Sequence, residues 1–120
     1  MSESIIKNKS FLFAIRIVKL YQLLTSERKE YVMSKQLLRS GTAVGALVRE
    51  AQNAESKADF IHKLGIAQKE CDESIYWIEL LEHTDFLTEN EAQSIKNDAT
   101  ELLKILRSVI LTSKKSTTKS

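Results

Sequence analysis

The sequence contains no proline and only three glycines in 120 residues, and that shortage constrains the fold more than any motif does. Sandwiches and barrels turn their strands with clusters of Pro and Gly, and a chain this poor in both has little with which to build such turns. Long helices need neither residue, so the expectation is an all-α domain. The length supports one hydrophobic core. With 42% hydrophobic and 28% charged residues, the chain reads as folded rather than disordered or fibrous.

The spacing of apolar residues predicts four helices. The first covers about 11–25. Phe11, Ile15 and Val18 trace one stripe on it, while Phe13, Ile17, Leu20 and Leu24 trace another, so it is expected to be covered on two sides. The second covers about 30–54, with Leu37, Gly41, Val44, Val48 and Ala51 on one face. The third, about 57–83, opens at Ser56 with Asp59 three residues on, and carries Phe60, Leu64, Ala67, Cys71, Ile78 and Leu81. The fourth, about 89–112, opens on the capping box of Thr88 and Glu91 and repeats Ile95, Ala99, Leu102, Leu106 and Val109. Short connections between long helices make antiparallel neighbours, hence an up-down-up-down four-helix bundle over residues 10–112. Residues 1–9 and 113–120 are polar and lack an apolar face. A flexible N-terminus and a disordered basic tail are expected there.

A single cysteine, Cys71, cannot form an internal disulfide, and the N-terminal residues lack the apolar core of a secretory signal. The longest apolar stretch, 11–24, is interrupted by Arg16, Lys19 and Gln22, too short and too charged to span a bilayer. The expected setting is the cytoplasm, with no membrane partner. The net charge of +2 hides an asymmetry. Residues 1–50 hold nine Lys/Arg against four Asp/Glu, whereas residues 51–113 hold six against twelve. One positive face is the electrostatic expectation.

Catalytic inventories are thin. A di-iron bundle needs Glu-x-x-His on two helices with further inward carboxylates, and here only Asp59–His62 and Glu79–His83 approach such spacing. No metal and no cofactor are expected. The stretch from Gly41 to Gly45 lacks the spacing and the lysine of a phosphate loop. Its small residues, Gly41, Ala43, Gly45 and Ala46, instead predict close packing by another helix, since each mid-helix glycine costs roughly 1 kcal/mol relative to alanine. Cys71 lies on an apolar series and reads as a buried, inert thiol. Glu70, Asp72 and Glu73 are expected to pair with the basic second helix, and Tyr76 with Trp77 borders the apolar face.

Gln36-Leu37-Leu38-Arg39-Ser40-Gly41-Thr42-Ala43-Val44-Gly45-Ala46, followed by Arg49-Glu50-Ala51, resembles the signature helix of the four-helix bundle family of 23S ribosomal RNA intervening-sequence proteins. The third helix extends the resemblance through Ser56, Asp59-Phe60, Lys63-Leu64, Lys69-Glu70, Glu73-Ser74 and Tyr76-Trp77, and the whole covers about residues 10–110. The family usually carries Ser where Ala43 stands and Asn where Leu47 stands. The resemblance implies a homopentamer, and a related group of accessory proteins of diversity-generating retroelements holds nucleic acid and a reverse transcriptase.

Two stripes on the first helix exceed what one small bundle can cover, and each exposed Leu or Ile forgoes roughly 1.5–3 kcal/mol of burial. Self-association through Phe11, Phe13, Ile17 and Trp77 is therefore expected. Copies arranged around one axis would pool Lys35, Arg39 and Arg49 into a surface for structured RNA or DNA. The expectation is a non-enzymatic homo-oligomer without catalytic residues. The alternative is a protein–protein adaptor or assembly module, for example an accessory subunit to a reverse transcriptase or another polymerase-type protein.

Overall fold

Apolar residues at three-and-four spacing wind the chain into four helices, α1 (Ser2–Ser26), α2 (Met33–Gln52), α3 (Lys57–His83) and α4 (Glu89–Thr118). They are seen in a computed structural model, which describes the backbone of residues 2–118 and the side chains of residues 4–116. The described residues contain no strand. Each helix packs on two others, α1 on α2 and α4, and α3 on α2 and α4, giving a four-helix bundle 53 × 22 × 20 Å in extent. Ion pairs join Lys9 to Glu101, Arg16 to Asp98 and Arg28 to Glu91, so numbers climb along α1 as they fall along α4. Large buried side chains from all four helices, including Phe13, Ile17, Leu37, Val44, Leu64, Ile78, Leu102 and Leu106, form one core. No helix among the described residues is long and apolar enough to cross a membrane.

Both predicted caps form. Ser56 is extended and its hydroxyl accepts the Asp59 N–H at 3.0 Å. Glu91 N–H donates to Thr88 Oγ1 at 3.1 Å while Thr88 N–H donates back to Glu91 Oε1 at 2.9 Å. The start of α2 differs from expectation. The helix begins at Met33 rather than near Glu30, because Glu30 acts from outside it. The Glu30 carboxylate accepts the N–H groups of Val32, Met33 and Ser34 at 3.1, 3.0 and 2.7 Å. Burial alone would raise the pKa of this 6% exposed group, but the backbone donors at Ser34, Met33 and Val32 outweigh it and hold the carboxyl below its ordinary value.

Both expected mobile ends are corrected. Residues 2–9 are the first turns of α1, since Ile6 and Ser10, each 1% exposed, continue the buried line of Phe13 and Ile17 at helical spacing. At the other end α4 runs on to Thr118. No Pro or Gly follows residue 112 to stop it, and helix propagation is cooperative once nucleated. Lys57 Nζ donates to Ser116 Oγ at 2.9 Å along this extension. The parts of those two expectations at Met1, Lys119 and Ser120 lie outside the described residues.

Two glycines set the distance between α1 and α2. A Cβ on Gly41 would stand 2.7 Å from Ile17 Cγ1, and one on Gly45 would stand 3.3 Å from the Ser10 carbonyl oxygen. Gly41→Ala is expected to destabilise the chain by about 1–3 kcal/mol through overpacking, and because Ile17→Ala removes both Cγ atoms that the new Cβ would meet, the double variant should lose less in thermal melts than the two single variants summed. At one end of the bundle, Arg28 binds both Glu91 oxygens at 2.7 Å and the Phe86 carbonyl at 2.8 Å. The Arg28 hydrogen bond, helped by the Thr88 N–H, pushes the Glu91 carboxyl down to about 2 from an ordinary 4.5. A depressed carboxylate contributes stability that is present above its unfolded pKa and is lost on acidification. The urea midpoint of the wild type should therefore drop between pH 4.5 and 2, and Glu91→Gln should flatten that part of the profile.

Candidate nucleic-acid interface

The small residues that let α1 and α2 approach leave a shallow groove between the two helices. It has a volume of about 430 Å³ and is floored by Ala14, Thr42, Gly45 and Ala46, with Lys7, Phe11 and Arg49 on its rims. Gly41 and Gly45 occupy the close-packing position expected of them. Ala43 is half-buried, and Ala46 is exposed on the groove floor rather than packed beneath another helix. The Arg49 guanidinium lies 5.3 Å from the centroid of the Phe11 ring. Stacking of this kind holds the cation in place while leaving its edge N–H groups free to donate.

The three cations proposed from the sequence sit in different environments. Lys35 and Arg49 are exposed, and neither has a carboxylate within ion-pair distance among the described residues. Arg39 is committed elsewhere. Its guanidinium bonds Glu70 Oε1 at 3.1 Å and Glu73 Oε2, and Glu73 also accepts the indole N–H of Trp77 at 2.9 Å. Beneath this network, Ser40 and Ser74 share a buried hydroxyl hydrogen bond of 2.9 Å. The expected pairing of the α3 acids with α2 is thus made by Glu70 and Glu73, whereas Asp72 is exposed.

The residues expected at an oligomer interface divide in two. Phe11 is 51% exposed, and Trp77 is half-buried and tied to Glu73. Phe13 and Ile17 are corrected. They are 2% and 0% exposed because their side of α1 faces the core, with Ile17 directly under Gly41. Periodicity found two stripes on this helix without saying which one the bundle would cover. Lys7 was missed because the first nine residues read as mobile. The signal available was the helical spacing of Ile6, Ser10, Phe13 and Ile17, which carries the buried line back past Lys7.

The Cys71 thiol is fully buried and donates to the Ala99 carbonyl at 3.3 Å, and burial pushes its pKa up to about 12. Among the described residues, no cluster of three or more His, Cys, Asp or Glu side chains is placed to hold a metal ion. The α1–α2 groove presents cations beside an aromatic rim.

The family model of the 23S rRNA-intervening sequence protein matches residues 2–108. The chain belongs to that family. A solved structure of a protein of unknown function from the S23 ribosomal protein family, from Bacteroides thetaiotaomicron VPI-5482, shares 55% sequence identity with it. The match covers 92% of this chain and 98% of that one, with a TM-score of 0.91. No curated protein matches it. Family and fold are therefore shown together.

Trp77, the sole tryptophan, reports on the α2–α3 network. Its indole N–H and the Arg39 guanidinium both hold the Glu73 carboxyl below 4.5 against the opposing effect of burial. Its fluorescence should stay constant on acidification until the pH falls below the ordinary carboxylate range, and Glu73→Gln should abolish that step.

Proposed function

We propose that the chain is a non-enzymatic, self-associating bundle that binds structured RNA or DNA through the cationic α1–α2 face. The observation that carries this reading is the contrast on α2. Lys35 and Arg49 stand exposed without a carboxylate partner among the described residues, and Arg49 shares the groove with Lys7. Phosphate contacts of this type give salt-dependent affinity with little sequence preference. The apolar line of Phe11, Ile15 and Val18, 51%, 38% and 38% exposed, supports self-association, and five copies is the number that the family resemblance implies. A reducing cytoplasm suits the unpaired Cys71. The same exposed line favours a second reading, a protein–protein assembly module for a polymerase-type partner, which predicts weak nucleic-acid binding alone and a defined protein in pull-downs.

Fluorescence anisotropy with a labelled RNA hairpin at low salt tests the first reading. Arg49→Ala and Lys35→Ala should each weaken binding several-fold and lower the salt slope by about one. Arg39→Ala should change affinity less than twofold, and Glu70→Gln with Glu73→Gln, which releases Arg39, should tighten it. Absence of binding to RNA and DNA at low salt overturns the proposal.

A further inference from the structure

The two cations of α2 that lack a carboxylate partner among the described residues flank the groove floor. Lys35, Thr42 and Arg49 recur every seven residues, which places them on one line of the helix. At 1.5 Å per residue, Lys35 and Arg49 are about 21 Å apart along the axis. Thr42, midway between them, belongs to the floor. Across the groove, Ser10 lies against Gly45 and Ile17 against Gly41, so α1 runs opposite to α2. Lys7 therefore comes to the Arg49 end. A polyanion that reaches both ends has to pass over the floor.

That floor differs chemically from its ends. Ala14, Gly45 and Ala46 carry no polar side chain, and Thr42 donates its hydroxyl to the Leu38 carbonyl at 2.7 Å. The backbone N–H groups there are engaged inside helices. The floor thus offers a ligand no hydrogen-bond donor, while the Phe11 ring beside it is half exposed. Phosphates are met by cations and N–H donors, so they make no use of such a surface. A planar base does, because it is held by its face on a ring or on a guanidinium stacked against that ring. The Arg49 guanidinium, 5.3 Å from the Phe11 centroid, supplies a stacking plane and a charge for the neighbouring phosphate together.

We infer that the α1–α2 groove takes an unpaired base of a nucleic-acid strand, stacked at Phe11. Lys7 and Arg49 hold the phosphates beside that base, and Lys35 holds one further along. The inference rests on the nucleic-acid reading proposed above and names the class of strand, which is single-stranded or looped rather than continuous duplex. Inside a duplex each base face is covered by its neighbours in the stack, so none is available to the ring. With no donor on the floor, one base is distinguished little from another. Recognition is of the unpaired state, not of sequence.

Fluorescence anisotropy at low salt tests it with three labelled RNAs of equal phosphate number: an unstructured strand, the same strand without its bases, and a blunt duplex. The intact strand should bind about fivefold or more tighter than the abasic one, the gain expected from one stacked base. Phe11→Leu keeps an apolar side chain without a ring and should bring that ratio close to one. Phe11→Tyr, which keeps the ring, should preserve it. If the wild type binds both strands alike, or Phe11→Leu weakens all three probes equally, the base site is overturned and the phosphate reading stands. If none of the three binds, both fall. In sedimentation velocity Phe11→Leu should match the wild type. A loss of mass there overturns the base site, because a ring covered by a second copy has no face left for a base.

Discussion

The approach of α1 to α2 at Gly41 and Gly45 is the constraint on which the rest of the molecule depends. Ile17 fills the space a side chain at position 41 would take, and the Ser10 carbonyl lies against position 45. That contact fixes which side of α1 is buried. With Ile6, Ser10, Phe13 and Ile17 turned inward, Phe11, Ile15 and Val18 must face outward. The same small residues keep the α1–α2 groove shallow enough for Lys7 and Arg49 to line its rims. Helix propensity is sacrificed at two positions, and both an exposed apolar line and a cationic groove result.

Charge is sorted over the surface by similar reasoning. Cations of α1, α2 and the turn between them that face α4 or α3 find carboxylates there. Arg16 meets Asp98, Arg28 meets Glu91, and Arg39 meets Glu70 and Glu73. Exposed pairs of this kind contribute little stability individually, but they decide which cations remain available to a ligand. Lys7 and Arg49 line the groove between α1 and α2, and Lys35 is exposed near the start of α2; none of the three has a carboxylate within ion-pair distance among the described residues. Glu50 at the end of α2 turns instead to Lys63 of α3. The positive region is thus a product of helix order as much as of composition.

Much of the fold was legible in the sequence. The shortage of turn residues, the four apolar periodicities and the Ser56 and Thr88 caps determined the number of helices and two of their starts. The α2 start was misread because Glu30 caps through a side chain reaching from outside the helix, a geometry without a fixed spacing rule. The ends of α1 and α4 were misread because polar composition was taken for mobility, although Ile6 alone anchors the first turns. The site was less legible. Lys35, Arg39 and Arg49 look equivalent in the sequence, and only the neighbouring helix separates Arg39 from the others. Phe13 and Ile17 could not be told from Phe11 and Ile15 until the glycines showed which stripe lies beneath them.

The buried thiol of Cys71 has a consequence of its own. A sulfhydryl that is 0% exposed and titrates near 12 is almost wholly protonated at neutral pH and shielded from alkylating reagents. Because it sits midway along α3 against α4, it becomes accessible only when the helices separate. The rate of maleimide labelling would then count excursions of the whole chain out of its native state, turning an otherwise silent side chain into a clock for global opening.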